Sequence, residues 1–109
     1  MFGAILGWLL VFSAVDARAE LVGIGIQSAI YHDAFTIIHV LPDSPAAKAG
    51  LTPGLVIQKV DGVSTEGKSV HECAGLVRGA PGTKVKLTLV DRQHNTTNTV
   101  ELVRVVIQP

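Results

Sequence analysis

The stretch Leu21-Val22-Gly23-Ile24-Gly25-Ile26-Gln27-Ser28 limits the fold more than any other in the chain. It is an apolar, β-prone run with glycine at two alternate positions. Glycine inside a strand pattern weakens the strand and marks a bulge or a close approach by another backbone. Its place here predicts a short loop with exposed N–H groups at the entry to a strand. Three successive amides, those of Ile24, Gly25 and Ile26, can converge on an anion as backbone nests do. A terminal carboxylate fits such a nest, and the strand that follows can pair with the rest of a bound peptide. On these eight residues alone a glycine-rich bend at a sheet edge is the simpler reading. The remainder of the chain decides between them.

A chain of 109 residues makes one domain. Hydrophobic residues make up 48% and aromatic residues 5%, so the core is expected to be aliphatic. Nine basic residues balance nine acidic ones, which gives no electrostatic basis for a nucleic-acid partner or an anionic membrane surface. The single cysteine, Cys73, excludes an internal disulfide and a multi-cysteine metal site. Residues 1–19 differ from the rest. Positions 2–12 are apolar, and Ala17-Arg18-Ala19 has the small-x-small form of a signal peptidase site. The apolar part is too short for a comfortable membrane span. The expected organisation is a signal peptide over 1–19, cleaved after Ala19, and a secreted or periplasmic domain over 20–109 that stays off the membrane. Against this, no Lys or Arg precedes the apolar run, and an uncleaved anchor is the alternative.

In order, the mature chain predicts a strand over 21–28, a turn over 29–34 and a strand over 35–41. Ser44 then caps a short helix that opens on Pro45 and closes at Gly50. A strand over 55–60 ends at Asp61-Gly62, and Val63 adds a very short one. The main helix is expected over 69–78, with Ser69 and Glu72 forming a capping box. A strand over 83–90 alternates cleanly, with Val85, Leu87 and Leu89 on one face. A polar connection over 91–98 leads to a closing strand over 99–107. The order β-β-α-β-α-β-β in short elements gives an α+β, mainly β fold: a small sandwich or partly open barrel of five to six strands with two helices.

Four blocks in this order resemble a PDZ domain over the whole mature length. They are Gly23-Ile24-Gly25-Ile26; Ser44-Pro45-Ala46-Ala47-Lys48-Ala49-Gly50-Leu51 with Pro53-Gly54; Val60-Asp61-Gly62; and Arg78-Gly79 with Pro81-Gly82-Thr83. The pattern is most similar to PDZ domains of bacterial carboxyl-terminal processing (tail-specific) proteases, a circularly permuted form relative to animal signalling PDZ domains. The resemblance implies capture of a partner's C-terminus as an added strand between the strand over 21–28 and the helix over 69–78. By that resemblance Ile24, Gly25 and Ile26 offer amides to the carboxylate, and Ile24, Ile26 and Val77 line the pocket for the last side chain. Val70, Ala74 and Val77 form an i, i+4, i+7 stripe facing the groove, although spacing alone reads equally well as core packing. The candidate ligand-binding set is Gly23, Ile24, Gly25, Ile26, Ser28, Val70, Ala74 and Val77. Val70 stands where many signalling PDZ domains carry a histidine, which implies an apolar ligand residue two places before the end. After cleavage the loop would lie near a free amino terminus at Glu20.

Catalytic readings are weak. Ser44 and Lys48, like Ser64 and Lys68, have the spacing of a Ser/Lys dyad, but Ser44 is explained by capping and neither lysine sits in an apolar run that would lower its pKa. His32, His39, His71 and His94 are scattered without metal-ligand spacing. Cys73 reads as a small buried residue, with an intermolecular disulfide as the alternative. No enzyme activity, metal or cofactor is expected. The preferred function is an extracytoplasmic peptide-binding module whose partner is a hydrophobic-ended peptide. The alternatives are a truncated or regulatory piece of a processing serine protease lacking its catalytic domain, and a structural domain with a closed groove.

Overall fold

The computed structural model describes residues 20–107; the expected leader lies outside them. The elements are β1 (Glu20–Val22), β2 (Ile26–Tyr31), β3 (Ala34–Val40), α1 (Pro45–Lys48), β4 (Val56–Val60), β5 (Val63–Ser64), α2 (Val70–Val77), β6 (Lys84–Asp91) and β7 (Thr96–Val103). The strands form one antiparallel sheet in the order β1-β2-β3-β4-β6-β7, with β5 beside β4. Beyond β7, the Val105 N–H donates to the Gly23 carbonyl at 2.9 Å, which draws one end of the sheet toward the other and gives the partly closed barrel. The glycine loop is therefore supported by the segment that follows β7.

Several boundaries move for local reasons. The expected strand over 21–28 is a hairpin: Gly25, at φ +88°, reverses the chain, so that Glu20, Leu21 and Val22 stand opposite Ser28, Gln27 and Ile26. The expected turn over 29–34 shrinks to His32-Asp33, both at positive φ (49° and 60°), a pair that matches the twist of a tight hairpin. The connection over 91–98 tightens because the Asp91 carboxylate accepts from the Gln93 and His94 amides at 3.0 and 3.2 Å and meets the His94 ring at 2.8 Å. Strand β7 accordingly begins at Thr96 and pairs with β6 over its full length.

The core is aliphatic apart from Phe35. Ile24 from the glycine loop and Ile26, Ile37, Ile57, Val60, Val85 and Leu87 from the sheet pack with Cys73, Ala74 and Val77 from α2. Both helices start as the sequence implies. Ser44 Oγ accepts from the Ala47 amide at 3.1 Å and donates to the Leu41 carbonyl at 2.7 Å. At α2, Ser69 Oγ accepts from the Glu72 amide at 3.2 Å and Glu72 Oε1 accepts from the Ser69 amide at 3.1 Å, which satisfies two of the helix's orphan donors.

The bond from the Ser69 backbone, then that from its side chain, holds the Glu72 carboxyl below its ordinary value of 4.5. A carboxyl depressed in the fold adds stability that is present above the unfolded value and is lost as pH falls through the folded one. Amide-exchange protection at the start of α2 should therefore decline on acidification below about 4.5. The Glu72→Gln variant should show a flatter pH profile; an identical profile would remove Glu72 as the cause.

Candidate functional site

The loop at residues 23–25 is held by its carbonyls. Gly23 O accepts from Val105 N at 2.9 Å, Ile24 O from Ala46 N at 3.0 Å and Gly25 O from Leu41 N at 2.8 Å. These donors come from three separate parts of the chain: the segment after β7, α1, and the end of β3. Among the described residues no peptide bond is cis, so each N–H points opposite to the carbonyl of its own peptide unit. Fixing those carbonyls turns the N–H groups of Ile24, Gly25 and Ile26 away from their supports. The Ile24 and Gly25 amides donate to no loop or cap bond among the described residues. Chemically, the loop is a set of oriented donors of the kind that hold anions.

Gly25 makes this shape possible twice over. Its φ of +88° is disfavoured for residues with a side chain, and a Cβ there would lie 2.1 Å from Ser44 Cβ. Gly23 is different, because a Cβ there would meet Val105 O at an ordinary 3.6 Å.

The structure brings the sequence-predicted residues together around β2 and α2. Ile24, Ile26, Ser28, Ala74 and Val77 are fully buried, and Val70 is half-buried against the same core. On the α2 stripe Ala74 and Val77 are thus fully buried, and only Val70 at the helix start is partly open. The edge of β2 is not open at residues 26–28: β1 pairs with it and lies alongside α2. Glu20 stands opposite Ser28, up the strand from the loop, rather than beside the loop as the sequence implies. Ser28 Oγ is buried with no hydrogen-bond partner among the described residues.

Sequence reasoning missed Arg104. A lone arginine in Val103-Arg104-Val105-Val106 reads as a solvent-facing residue of an edge strand. Instead its side chain is 10% exposed. Nε donates to Val77 O at 2.8 Å, Nη2 to Leu76 O at 3.4 Å, and Nη1 to Thr83 Oγ1 at 3.0 Å and Lys84 O at 3.1 Å. The guanidinium thereby satisfies carbonyls at the end of α2, where a cation is favoured. Gly79 leaves it room, since a Cβ there would lie 2.6 Å from Arg104 Nε. Arg104 fixes the helix through its side chain, and the next residue, Val105, fixes the glycine loop through its backbone.

The other candidates resolve locally. Ser44 Oγ is engaged in capping, and Lys68 Nζ donates to the Ser64 carbonyl at 2.9 Å rather than to its hydroxyl. Cys73 Sγ is buried at 3.6 Å from Thr65 O, and burial raises the thiol pKa and disfavours the thiolate. Among the described residues no three His, Cys, Asp or Glu side chains gather as a metal site.

A glycine loop braced by its carbonyls is thus followed by a strand with a helix alongside. A family model for the PDZ domain matches residues 36–91, and the chain belongs to the PDZ domain family. The probable CtpA-like serine protease of Staphylococcus haemolyticus is 43% identical over 74 residues, 68% of this chain and 15% of that protein. The carboxyl-terminal-processing protease of Picosynechococcus sp. is 34% identical over 92 residues, 83% of this chain and 22% of that protein. Among solved structures, the PDZ domain of the carboxy-terminal protease from Vibrio cholerae, in complex with peptide, superposes with a TM-score of 0.74 at 28% identity, covering 82% of this chain and 98% of that one. The chain therefore spans about a fifth or less of the two protease sequences. No helix among the described residues is long and apolar enough to cross a membrane.

Two mutational outcomes follow from this geometry. Gly25→Ala should cost about 2–4 kcal/mol in urea unfolding, because both φ and Ser44 oppose it, whereas Gly23→Ala should cost under about 1 kcal/mol; equal effects would contradict the close-approach account. Arg104→Ala should cost about 2–4 kcal/mol by leaving buried carbonyls without donors. It should also shift amide resonances both at the end of α2 and in the 23–25 loop. Shifts confined to the helix would separate the two supports.

Proposed function

We propose that this chain is a non-catalytic, extracytoplasmic peptide-binding module, exported by cleavage after Ala19, that takes the C-terminus of a partner as an added strand along β2 beside α2. The observation that carries this reading is the pinning of the Gly23, Ile24 and Gly25 carbonyls, which turns the next three amides away from those supports. A carboxylate accepting from Ile24, Gly25 and Ile26 forms charge-assisted bonds, roughly twice as strong as neutral ones. Gly23 and Gly25 shape the loop, Ile26 and Ser28 lie on the pairing strand, and Ile24, Ile26 and Val77 surround the position of the terminal side chain. Val70 and Ala74 face the residues before it, and Val70 favours an apolar one two places from the end. The peptide-bound PDZ domain of the Vibrio cholerae protease supports the same role here. No cofactor takes part, and the partner is a hydrophobic-ended polypeptide rather than nucleic acid or membrane.

A second reading has its own support. The chain matches 15% and 22% of the length of two processing proteases, the proportion expected of a regulatory piece of such an enzyme that lacks the catalytic domain. Peptide capture is common to both readings.

The test is chemical-shift mapping with a decapeptide ending in Leu-Val, supplied with a free carboxylate and as the C-terminal amide. The expected result is shifts at residues 23–28 and along α2, with binding at least tenfold weaker for the amide. Equal binding of the two forms would overturn carboxylate capture.

A further inference from the structure

We propose that β1 is a tethered occupant of the ligand site and that binding proceeds by strand exchange, a partner's terminal segment replacing Glu20–Val22 along β2. This rests on the peptide-capture reading above and adds a regulatory step to it. Strand β1 runs antiparallel to β2, lies beside α2 and ends with Val22 opposite Ile26. A ligand whose carboxylate reached the amides of residues 24–26 would run in the same direction and place its own last residue opposite Ile26. The two strands therefore compete for one edge.

Two features favour the incoming strand. Strand β1 continues through a peptide bond into Gly23, so where a ligand brings a carboxylate, β1 brings a neutral carbonyl and forgoes charge-assisted bonds. It pairs with residues 26–28 only, while β2 continues through Ala29, Ile30 and Tyr31 with no partner on that side among the described residues. Ile30 and Tyr31 are 41% and 60% exposed there, so a longer ligand has further edge to cover. In β1's favour stands its tether, which supplies an effective concentration in the millimolar range. Observed affinity is lowered by the fraction of time the edge is free. The module is thus self-guarded: its exposed edge is covered until a strand of the right polarity and terminus arrives.

The test compares the unsubstituted protein with the double variant Glu20→Pro, Leu21→Pro, using the decapeptide ending in Leu-Val. Proline has no N–H for the ladder and removes β1 from the edge. The expected result is at least tenfold tighter binding to the variant, with faster amide exchange at Ile26–Ser28 when no peptide is present. In the unsubstituted protein, saturating peptide should release the Leu21 and Val22 amides into fast exchange. Carboxylate-dependent binding of equal strength to both proteins, or Leu21 and Val22 staying protected with peptide bound, would overturn strand exchange and leave capture standing. Absence of binding to either protein would overturn capture, and strand exchange with it.

Discussion

Three carbonyl hydrogen bonds at the glycine loop govern the geometry of this domain's candidate site. Peptide units are rigid, so anchoring one side of a unit aims the other. The anchors at Gly23, Ile24 and Gly25 come from Val105, Ala46 and Leu41, and the loop is therefore shaped by tertiary structure rather than by its own sequence. Gly25 supplies the backbone freedom and Ser44 the wall it turns against. The same serine caps α1 through its hydroxyl, so one side chain serves both the helix start and the loop.

The opposite wall, α2, is fixed at both ends by polar contacts and along its length by burial. Its start is closed by the Ser69–Glu72 pair and its end by the Arg104 guanidinium. Cys73, Ala74 and Val77 are buried in the shared core, which makes the helix a rigid boundary rather than a mobile lid. A PDZ domain of this connectivity brings the loop and the helix under the control of two consecutive residues near the end of the chain.

Much of this was legible in the sequence where a local rule operates. The capping box at Ser69, the Ser44-Pro45 helix start and the alternation of Val85, Leu87 and Leu89 all follow from short-range chemistry, while the family was legible as a resemblance carried by four sequence blocks. What could not be read was set by distant partners. His32-Asp33 carries no glycine, yet both residues take positive φ because the twist of β2 and β3 demands it. Arg104 looks like a surface residue until the end of α2 is placed against it. The run over 21–28 has one continuous β-prone composition, and only the support of the loop from elsewhere shows that it is two strands. The edge of β2 was read as open for the same reason: a short segment that folds back on its neighbour leaves no periodic signal.

The bond between Gly23 and Val105 joins positions near opposite ends of the described chain. During synthesis the glycine loop leaves the ribosome before its last support, which emerges only after every strand of the sheet and α2 have been made. Until then the loop lacks one of its braces and α2 lacks the arginine that closes it. The site is therefore completed only after the sheet, and a polypeptide halted before Arg104 would have its strands yet no finished groove.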